Sequence, residues 1–214
     1  LFAPFQTMRC CEQIKVNLGY MKQKVCMIGI ASGLVLGTLG YTHCCIEDIG
    51  VLRSIPGLTI ISPADSLETV KAIEEAVKSK NPSYIRLTGS SNNPIVYQTD
   101  YDFEIGKSIT LKEGRDITIF CAGTMVYECL EAAKILETKK ISSKVINMHT
   151  IKPLDKKAVE EACESKLIVS VEEHNVIGGL GSAISECKSS LDKSPKQLFL
   201  GVKDSYSKGG NYKF

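Results

Sequence analysis

Short apolar runs alternate with amphipathic stretches along most of this chain, and this alternation limits the folds that the chain can adopt. Residues 24–30, 58–62 and 83–87 are compact apolar runs typical of buried strands, and the segment after residue 65 has a helical period. Strands that alternate with helices pair in parallel and place the helices on the faces of the sheet. The pattern therefore predicts an α/β fold whose sheets are mainly parallel and flanked by helices.

The helix predicted after residue 65 carries its own start signal. Asp65 is a suitable N-cap, and Glu68 stands three residues later as its capping-box partner. Apolar residues then recur at a spacing that places them on one face, which we expect to pack on the sheet. These residues are Leu67, Val70, Ile73 and Val77.

The rhythm of strands and helices breaks over residues 89–107, where turn residues are followed by a stretch without helical period. Beyond the break, strands are predicted at 116–122, 144–148 and 167–171, and an edge strand at 197–202. A helix is predicted over 125–139, with Val126, Cys129, Leu130, Ala133 and Leu136 facing inward. We therefore predict two domains, 1–92 and 111–214, joined by a linker over 93–110.

Charge and composition exclude two classes of partner. The chain has 214 residues, and its 26 basic and 24 acidic residues are interspersed, for a net charge of +2. Nucleic-acid binding needs a basic face, so no nucleic-acid partner is expected. A membrane span needs about 18 apolar residues in a row, so no membrane partner is expected. The nine cysteines lack CxxC spacing, which indicates reduced thiols in a cytoplasmic protein.

General motifs offer little chemistry. The glycine-rich residues 178–181 fit neither a Walker A loop nor a dinucleotide fingerprint, and we interpret them as close backbone packing before a helix. His149 and His174 are interpreted as hydrogen-bonded structural residues. His43 lies on a glycine-flanked loop between a strand and a helix, where open parallel sheets present ligand-binding groups. Its local pattern leaves a functional and a structural role equally open.

Six stretches, in order and at matching spacing, resemble the transketolase family over nearly the whole chain. Three resemble its pyrimidine-binding domain: residues 2–14 (FAPFQTMRCCEQI), 37–48 (GTLGYTHCCIED) and 82–87 (PSYIRL). Three more resemble its C-terminal domain: residues 117–136 (ITIFCAGTMVYECLEAAKIL), 149–155 (HTIKPLD) and 169–186 (VSVEEHNVIGGLGSAISE). The resemblance implies a thiamine-diphosphate pyrimidine-binding fold followed by a transketolase C-terminal-like fold.

The resemblance also implies a cofactor and a partner. In this family, thiamine diphosphate lies between domains of different chains in a dimer. The domain represented here holds the aminopyrimidine. A diphosphate-binding N-terminal chain or domain grips the other end through Mg²⁺ or Ca²⁺, so no metal ligand is expected in this chain. We expect such pairs to form a homodimer.

Four residues match positions of the family site. Phe2 and Phe5 match the aromatic residues that pack on the cofactor ring, and Met8 stands where some relatives have a third aromatic residue. Simple core packing is the alternative role for these three side chains. His43 matches the histidine that reaches towards substrate oxygens, which makes it the expected catalytic residue.

Several departures from the family pattern bear on activity. The glutamate that protonates the pyrimidine nitrogen lies upstream of the phenylalanines in relatives, and Glu12 matches a different position. The chain has no GDG…N diphosphate motif, so we expect it to be incomplete on its own. Residues 37–40 read GTLG rather than GEDG, Ala31 replaces a histidine and Gly89 replaces a phosphate-binding arginine. These differences predict a non-standard sugar or another 2-oxo compound as substrate.

Three functions remain open at this level. The first is the C-terminal part or subunit of a transketolase-like transferase in pentose-phosphate-type carbohydrate metabolism, which moves a two-carbon ketol unit between sugars or sugar phosphates. The second is the β-type component of a 2-oxoacid dehydrogenase, which the MRxxEQ-like and YIRL segments disfavour. The third is a non-catalytic assembly subunit, which the altered loop favours but the retention of Phe2, Phe5 and His43 disfavours.

Overall fold

A computed structural model describes residues 1–89, 93–206 and 209–212 of the chain. The turn predicted over residues 89–94 therefore lies partly outside the described residues. The elements of the first half are α1 (Ala3–Thr7), α2 (Cys11–Gln13), a π-helical turn (Ile14–Tyr20), β1 (Cys26–Ser32), a 3₁₀ turn (Gly37–Leu39), α3 (Asp48–Arg53), β2 (Thr59–Ile61), α4 (Ser66–Lys78) and β3 (Ser83–Thr88).

The second half follows the same alternation of strands and helices. Its elements are β4 (Ile109–Lys112), β5 (Ile117–Cys121), α5 (Met125–Thr138), β6 (Ser143–Asn147), β7 (Thr150–Lys152), α6 (Lys156–Ala162), β8 (Leu167–Asn175), α7 (Leu180–Lys188) and β9 (Lys196–Val202). The predicted two-domain α/β architecture is confirmed.

Two sheets form the centres of the two halves. The first has the strand order β1-β3-β2-β7, and the second has the order β4-β6-β5-β8-β9. Pairing is parallel except where β4 meets β6 and where β7 meets β2. β9 lies at an edge of its sheet, as predicted, and pairs in parallel with β8.

Strand β7 belongs in sequence to the second half but pairs with the first sheet. Ile61 lies opposite Thr150, and Ser62 N donates to His149 O at 2.7 Å. One apolar cluster likewise draws on both halves, with Leu52, Ile60 and Tyr84 from the first and Phe120 and Leu180 from the second. Burial of apolar surface therefore stabilises the contact between the two halves.

The start of α4 agrees with its predicted capping signal. Glu68 N donates to Asp65 Oδ1 at 2.9 Å, and Glu68 Oε2 accepts from Ala64 N at 2.6 Å. The other oxygen of Asp65, Oδ2, accepts from Val96 N and Tyr97 N at 2.9 and 2.8 Å. The cap therefore also fixes the chain that leads into the second half.

The predicted inward face of α4 is correct at Ile73, which packs against a buried cluster of the first sheet, but wrong at Val70 and Val77. Val70 is 53% exposed and Val77 is 58% exposed, whereas the fully buried residues are Glu68, Ala72 and Ala76. The helix is turned because the Glu68 carboxylate binds Asn147 Nδ2 of the second half at 2.9 and 3.0 Å. A buried carboxylate needs such partners, and small alanines let the helix lie close to the sheet.

The inward face of α5 agrees with the prediction. Val126, Cys129 and Ala133 are buried, and Leu130 and Leu136 pack against the same cluster. All nine cysteines are free thiols in the structure. Among residues 1–89, 93–206 and 209–212, every helix is too short or too polar to cross a lipid bilayer.

Candidate active site

The N-terminal segment holds two phenylalanine rings at the end of β1. Phe2 is the N-cap of α1 and pairs with Ile30 in an isolated parallel bridge, with Ile30 N donating to Leu1 O at 3.0 Å. One helical turn separates Phe2 from Phe5, so both rings lie on the same side of α1. Their centroids are 6.2 Å apart with planes at 66°.

His43 completes a cluster of three rings. Its imidazole lies edge-on to Phe5 at 5.4 Å and 69°, and to Phe2 at 6.5 Å and 71°. Thr42 Oγ1 lies 3.0 Å from His43 Nδ1 and orients the ring through that nitrogen. The structure thus brings together three of the four predicted site residues, from two separate segments of the chain.

Met8 stands apart from this cluster. It follows the last residue of α1 and is 39% exposed. Arg9, which the sequence reasoning did not single out, places its guanidinium 4.1 Å from the centroid of Phe5. The spacing of four residues between Phe5 and Arg9 on a helical segment could have indicated this cation–π contact.

The strand beneath the rings is irregular where it meets them. The register between β1 and β3 shifts between Gly29 and Ser32, which leaves Ile30 and Ala31 in a bulge. Ala31 has a φ of 55°, in the left-handed region that non-glycine residues rarely adopt. Bulges next to functional sites re-aim side chains, and this one places Ala31 beside the bridge between Ile30 and Phe2.

A buried ion pair lies under the loop that carries His43. Arg86 Nε donates to both oxygens of Asp48 at 3.1 and 2.9 Å, and Tyr84 Oη donates to Asp48 Oδ2 at 2.7 Å. Arg86 Nη2 also donates to Cys45 O at 3.1 Å and to Glu173 O at 2.9 Å. Arg86 is 3% exposed, so it supports the loop and the contact between the halves from below.

His174 and His149 are both fully buried, in agreement with structural roles. His174 Nε2 accepts from Gly50 N at 3.3 Å, and Nδ1 lies 2.7 Å from Asn175 O. Burial lowers the pKa of each histidine to about 4. Both imidazoles are therefore neutral at pH 7, which suits His174 to accept from the backbone of the other half.

The glycine-rich turn before α7 holds a carboxylate of the chain itself. Glu172 accepts from Leu180 N at 2.7 Å and from Gly181 N at 2.9 Å, so it occupies the amides at the start of that helix. Burial raises the pKa of Glu172 to about 7. Close backbone packing at this turn agrees with the interpretation from the sequence, since a Cβ on Gly179 would clash with the Glu172 carboxyl group.

A cavity of about 880 Å³ lies between the halves and is lined in part by Leu34, Met125, Glu172, Glu173 and Tyr212. Two of its three acidic groups are already bound, because Glu172 accepts from backbone amides at the start of α7 and Glu173 Oε2 accepts from Thr124 Oγ1 at 2.8 Å and from Tyr212 Oη at 2.6 Å. The partly exposed rings of Phe2 and Phe5 at the end of β1 make the better candidate site. The fold and this cluster define a two-domain α/β protein with an aromatic site at the carboxyl end of its first sheet.

Comparison with known proteins identifies the family. Residues 1–93 match the family described as "Transketolase, pyrimidine binding domain", and residues 106–209 match "Transketolase, C-terminal domain". The chain belongs to the transketolase family, and the resemblance found in its sequence is confirmed.

Two curated relatives each align with 98% of the length of this chain. One is a subunit of the apulose-4-phosphate transketolase of Phocaeicola vulgatus, 38% identical, of which the match covers 67%. The other is a subunit of the 6-deoxy-6-sulfo-D-fructose transketolase of a Clostridium species, 36% identical, of which the match covers 65%. The chain thus spans about two thirds of the length of these relatives.

A solved structure shows the same fold. It is described as "Split gene transketolase, inactive beta4 tetramer" and matches with a TM-score of 0.87 at 36% identity. The match covers 95% of this chain and 65% of that chain.

Proposed function

We propose that this chain is the C-terminal part or subunit of a thiamine-diphosphate-dependent transferase that moves a two-carbon ketol unit between sugars. The observation that carries the proposal is the convergence of Phe2, Phe5 and His43 at the end of β1. Two aromatic rings suit a flat heterocycle, and a histidine beside them suits proton transfer. Membership of the transketolase family supports the same assignment.

The residues present fit the aminopyrimidine end of thiamine diphosphate. Phe2 is 36% exposed and Phe5 is half-buried, so both rings have surface left for a flat ligand. Stacking on an aromatic face and exclusion of water favour such a ring. Met8 stands apart from the rings, and its proposed contact with the cofactor rests on the polarizable thioether. The chemistry that the cofactor supplies in the bound state is a carbon nucleophile for cleavage beside a carbonyl group.

His43 is the residue of this chain that we assign to catalysis. Its imidazole can exchange a proton with a substrate hydroxyl or hold that hydroxyl in place while the adjacent carbon–carbon bond breaks. Thr42 limits rotation of the ring through the contact with Nδ1. A histidine held in one orientation is better prepared to act as donor or acceptor than a freely rotating side chain.

The diphosphate and its Mg²⁺ or Ca²⁺ are assigned to a partner chain or domain. No group of three or more His, Cys, Asp or Glu side chains suited to a metal ion occurs within residues 1–89, 93–206 and 209–212. Both curated relatives are named as subunits, which supports a separate diphosphate-binding chain. We propose that such pairs assemble as a homodimer in the cytoplasm.

The substrate is proposed to be a sugar other than the standard pentose and hexose phosphates. Gly89 stands where many relatives have a phosphate-binding arginine, and its φ of 92° disfavours any side chain there. Loss of such a charge-assisted contact weakens binding by roughly 1.5–3 kcal/mol. The curated relatives are named for apulose-4-phosphate and for a sulfonated fructose, which supports a modified sugar in this branch.

The domain boundaries predicted from the sequence, 1–92, 93–110 and 111–214, remain our proposal for the limits of the two functional modules. The pyrimidine-binding module carries the ring cluster. The C-terminal module supplies Glu173 and His174, which support the first module from the opposite side.

A non-catalytic assembly role is the second candidate. One observation favours it, since residues 37–40 read GTLG rather than the GEDG of the family pattern. The dehydrogenase alternative has no comparable support, because the relatives above are named transketolases.

Purification of the native protein tests the proposal. We expect the complex to retain thiamine diphosphate and to transfer a ketol unit between sugars without any electron acceptor. A His43→Asn variant of the same complex separates cofactor binding from catalysis. It should keep thiamine diphosphate but lose ketol transfer. Product formation only with an electron acceptor would indicate a dehydrogenase, and absence of cofactor binding would indicate an assembly role.

A further inference from the structure

The loop that carries His43 is closed at its base but weakly held by the core. Gly33 and Cys45 exchange two backbone hydrogen bonds, Gly33 N to Cys45 O at 2.8 Å and Cys45 N to Gly33 O at 2.9 Å. Between these residues the chain makes an excursion in which every residue from 34 to 42 is half-buried or exposed. Apolar burial therefore does not determine the conformation of this excursion, and other contacts must hold it.

The C-terminal stretch of the chain contacts this loop backbone to backbone. Gly210 N donates to Gly37 O at 3.1 Å. A Cβ on Gly37 would lie 2.6 Å from Gly210 O, and a Cβ on Gly209 would lie 2.8 Å from Gly37 O. Glycine on both sides thus permits an approach that any side chain would prevent.

Two tyrosines of the same stretch extend the contact to both ends of the loop. Tyr206 packs edge-to-face on Tyr41, with centroids 4.8 Å apart and planes at 65°, and its hydroxyl donates to Glu47 Oε1 at 3.3 Å. Tyr212 Oη donates to Glu173 Oε2 at 2.6 Å, while Glu173 Oε1 accepts from Leu34 N at 2.6 Å. Tyr41 lies two residues before His43, and Leu34 is the first residue of the excursion.

We infer that Tyr206 and Tyr212 are positioning residues for His43. They hold the outer side of the loop, while the Phe2 and Phe5 rings contact its catalytic side through His43. Loss of the outer contacts frees the segment 37–43 and lowers the fraction of time in which the imidazole lies against Phe5. The consequence for catalysis rests on the proposed function, but the effect on the loop does not.

Amide hydrogen exchange of the loop, measured on the full-length protein with its diphosphate-binding counterpart, tests the inference. Tyr206→Ala should accelerate exchange in a peptide spanning 34–44 by about 2- to 10-fold, the range that corresponds to one aromatic pair. Tyr206→Phe keeps the ring and should restore most of the protection. Tyr20→Ala, at a tyrosine that is 85% exposed, is the matched control and should leave the loop unchanged.

Steady-state kinetics on the same variants separate positioning from general destabilisation. Tyr206→Ala and Tyr212→Phe should lower kcat/KM for ketol transfer by about 2- to 10-fold, with unchanged affinity for thiamine diphosphate. Gly37→Ala provides a second route to the same effect, because its Cβ displaces Gly210.

The inference would be overturned if Tyr206→Ala and Gly37→Ala both exchanged their loop amides at the rate of the wild type. If the variants accelerate amide exchange in the loop but the complex transfers no ketol unit, the positioning role is supported and the proposed function is rejected. The two proposals can therefore fail separately.

Discussion

The imidazole of His43 lies edge-to-face against the ring of Phe5, with centroids 5.4 Å apart and planes at 69°. One residue comes from the loop after β1 and the other from the first helix of the chain. Two backbone contacts bring them together. One is the bridge between Phe2 and Ile30, and the other is the pairing of Gly33 with Cys45 at the base of the loop. The proposed ring-binding surface and the proposed proton-transfer group are thereby joined in one cluster.

Replacement of His43 by asparagine should lower kcat for ketol transfer by roughly 10²- to 10⁴-fold, because a positioned acid–base group contributes about that factor. Affinity for thiamine diphosphate should stay within about twofold, since the aromatic faces remain. Steady-state kinetics and a cofactor titration measure the two effects. Thr42→Val, which removes only the contact with Nδ1, should give a smaller loss. Equal activity of His43→Asn and the wild type would show that His43 is structural.

Replacement of Phe5 by alanine should weaken thiamine diphosphate binding by about tenfold, because one aromatic contact is worth roughly 0.5–1.5 kcal/mol beyond its buried area. Met8→Ala should have a smaller effect, since Met8 stands apart from the three rings and is 39% exposed. A cofactor titration of the complete complex measures both. Phe103→Leu is the control, because that ring stacks on His149 at 4.1 Å, away from the site. Unchanged affinity in Phe5→Ala would assign the phenylalanines to core packing.

Breaking the buried pair between Asp48 and Arg86 should destabilise the fold strongly. Asp48 is 0% and Arg86 is 3% exposed, so Asp48→Asn leaves a buried guanidinium without its counterion. Removal of one partner of such a pair costs about 3–5 kcal/mol in the free energy of unfolding. Urea unfolding of the wild type and the variant measures the difference.

A surface pair provides the control for this experiment. Lys134 and Glu131 form an ion pair with side chains that are 69% and 41% exposed. Glu131→Gln should therefore change the free energy of unfolding by less than about 1 kcal/mol. A similar small change for Asp48→Asn would contradict the support role that we assign to the buried pair.

The buried carboxyl group of Glu172 should make stability fall with rising pH. Burial raises its pKa from an ordinary value of 4.5 to about 7. Between these values the folded chain holds a proton that the unfolded chain has released, so a rise in pH lowers the free energy of unfolding, by about 3 kcal/mol in total. Glu172→Gln removes this contribution, whereas the exposed Glu12→Gln should not. Urea unfolding between pH 4.5 and 7.5 gives the slopes.

His174 should act with the opposite sign. Burial lowers its pKa from 6.5 to about 4, so between these values the unfolded chain binds the extra proton and stability rises with pH. His174→Gln should remove this contribution, so the slope of its free energy of unfolding against pH should be lower than that of the wild type over this window. Parallel pH profiles for the wild type and both variants would contradict the assignment of these two groups as buried.

Local sequence patterns predicted most of the regular elements correctly. The Asp65 cap, the inward face of α5 and the edge position of β9 follow from capping chemistry and apolar spacing, which act between near neighbours. On α4, apolar spacing wrongly placed Val70 and Val77 inside, because it treats Glu68 as a solvent-exposed residue. The tertiary contact with Asn147 places Glu68 inside.

Residue type and order were enough to predict the fold class, the family and the candidates Phe2, Phe5 and His43. The meeting of the three rings, the pairing of β7 with the first sheet and the contacts of Tyr206 and Tyr212 with the loop of His43 are visible only in the folded chain. Each of these contacts joins segments far apart in the chain. They form because side chains from both halves pack together, and a local sequence pattern carries no information about such long-range packing.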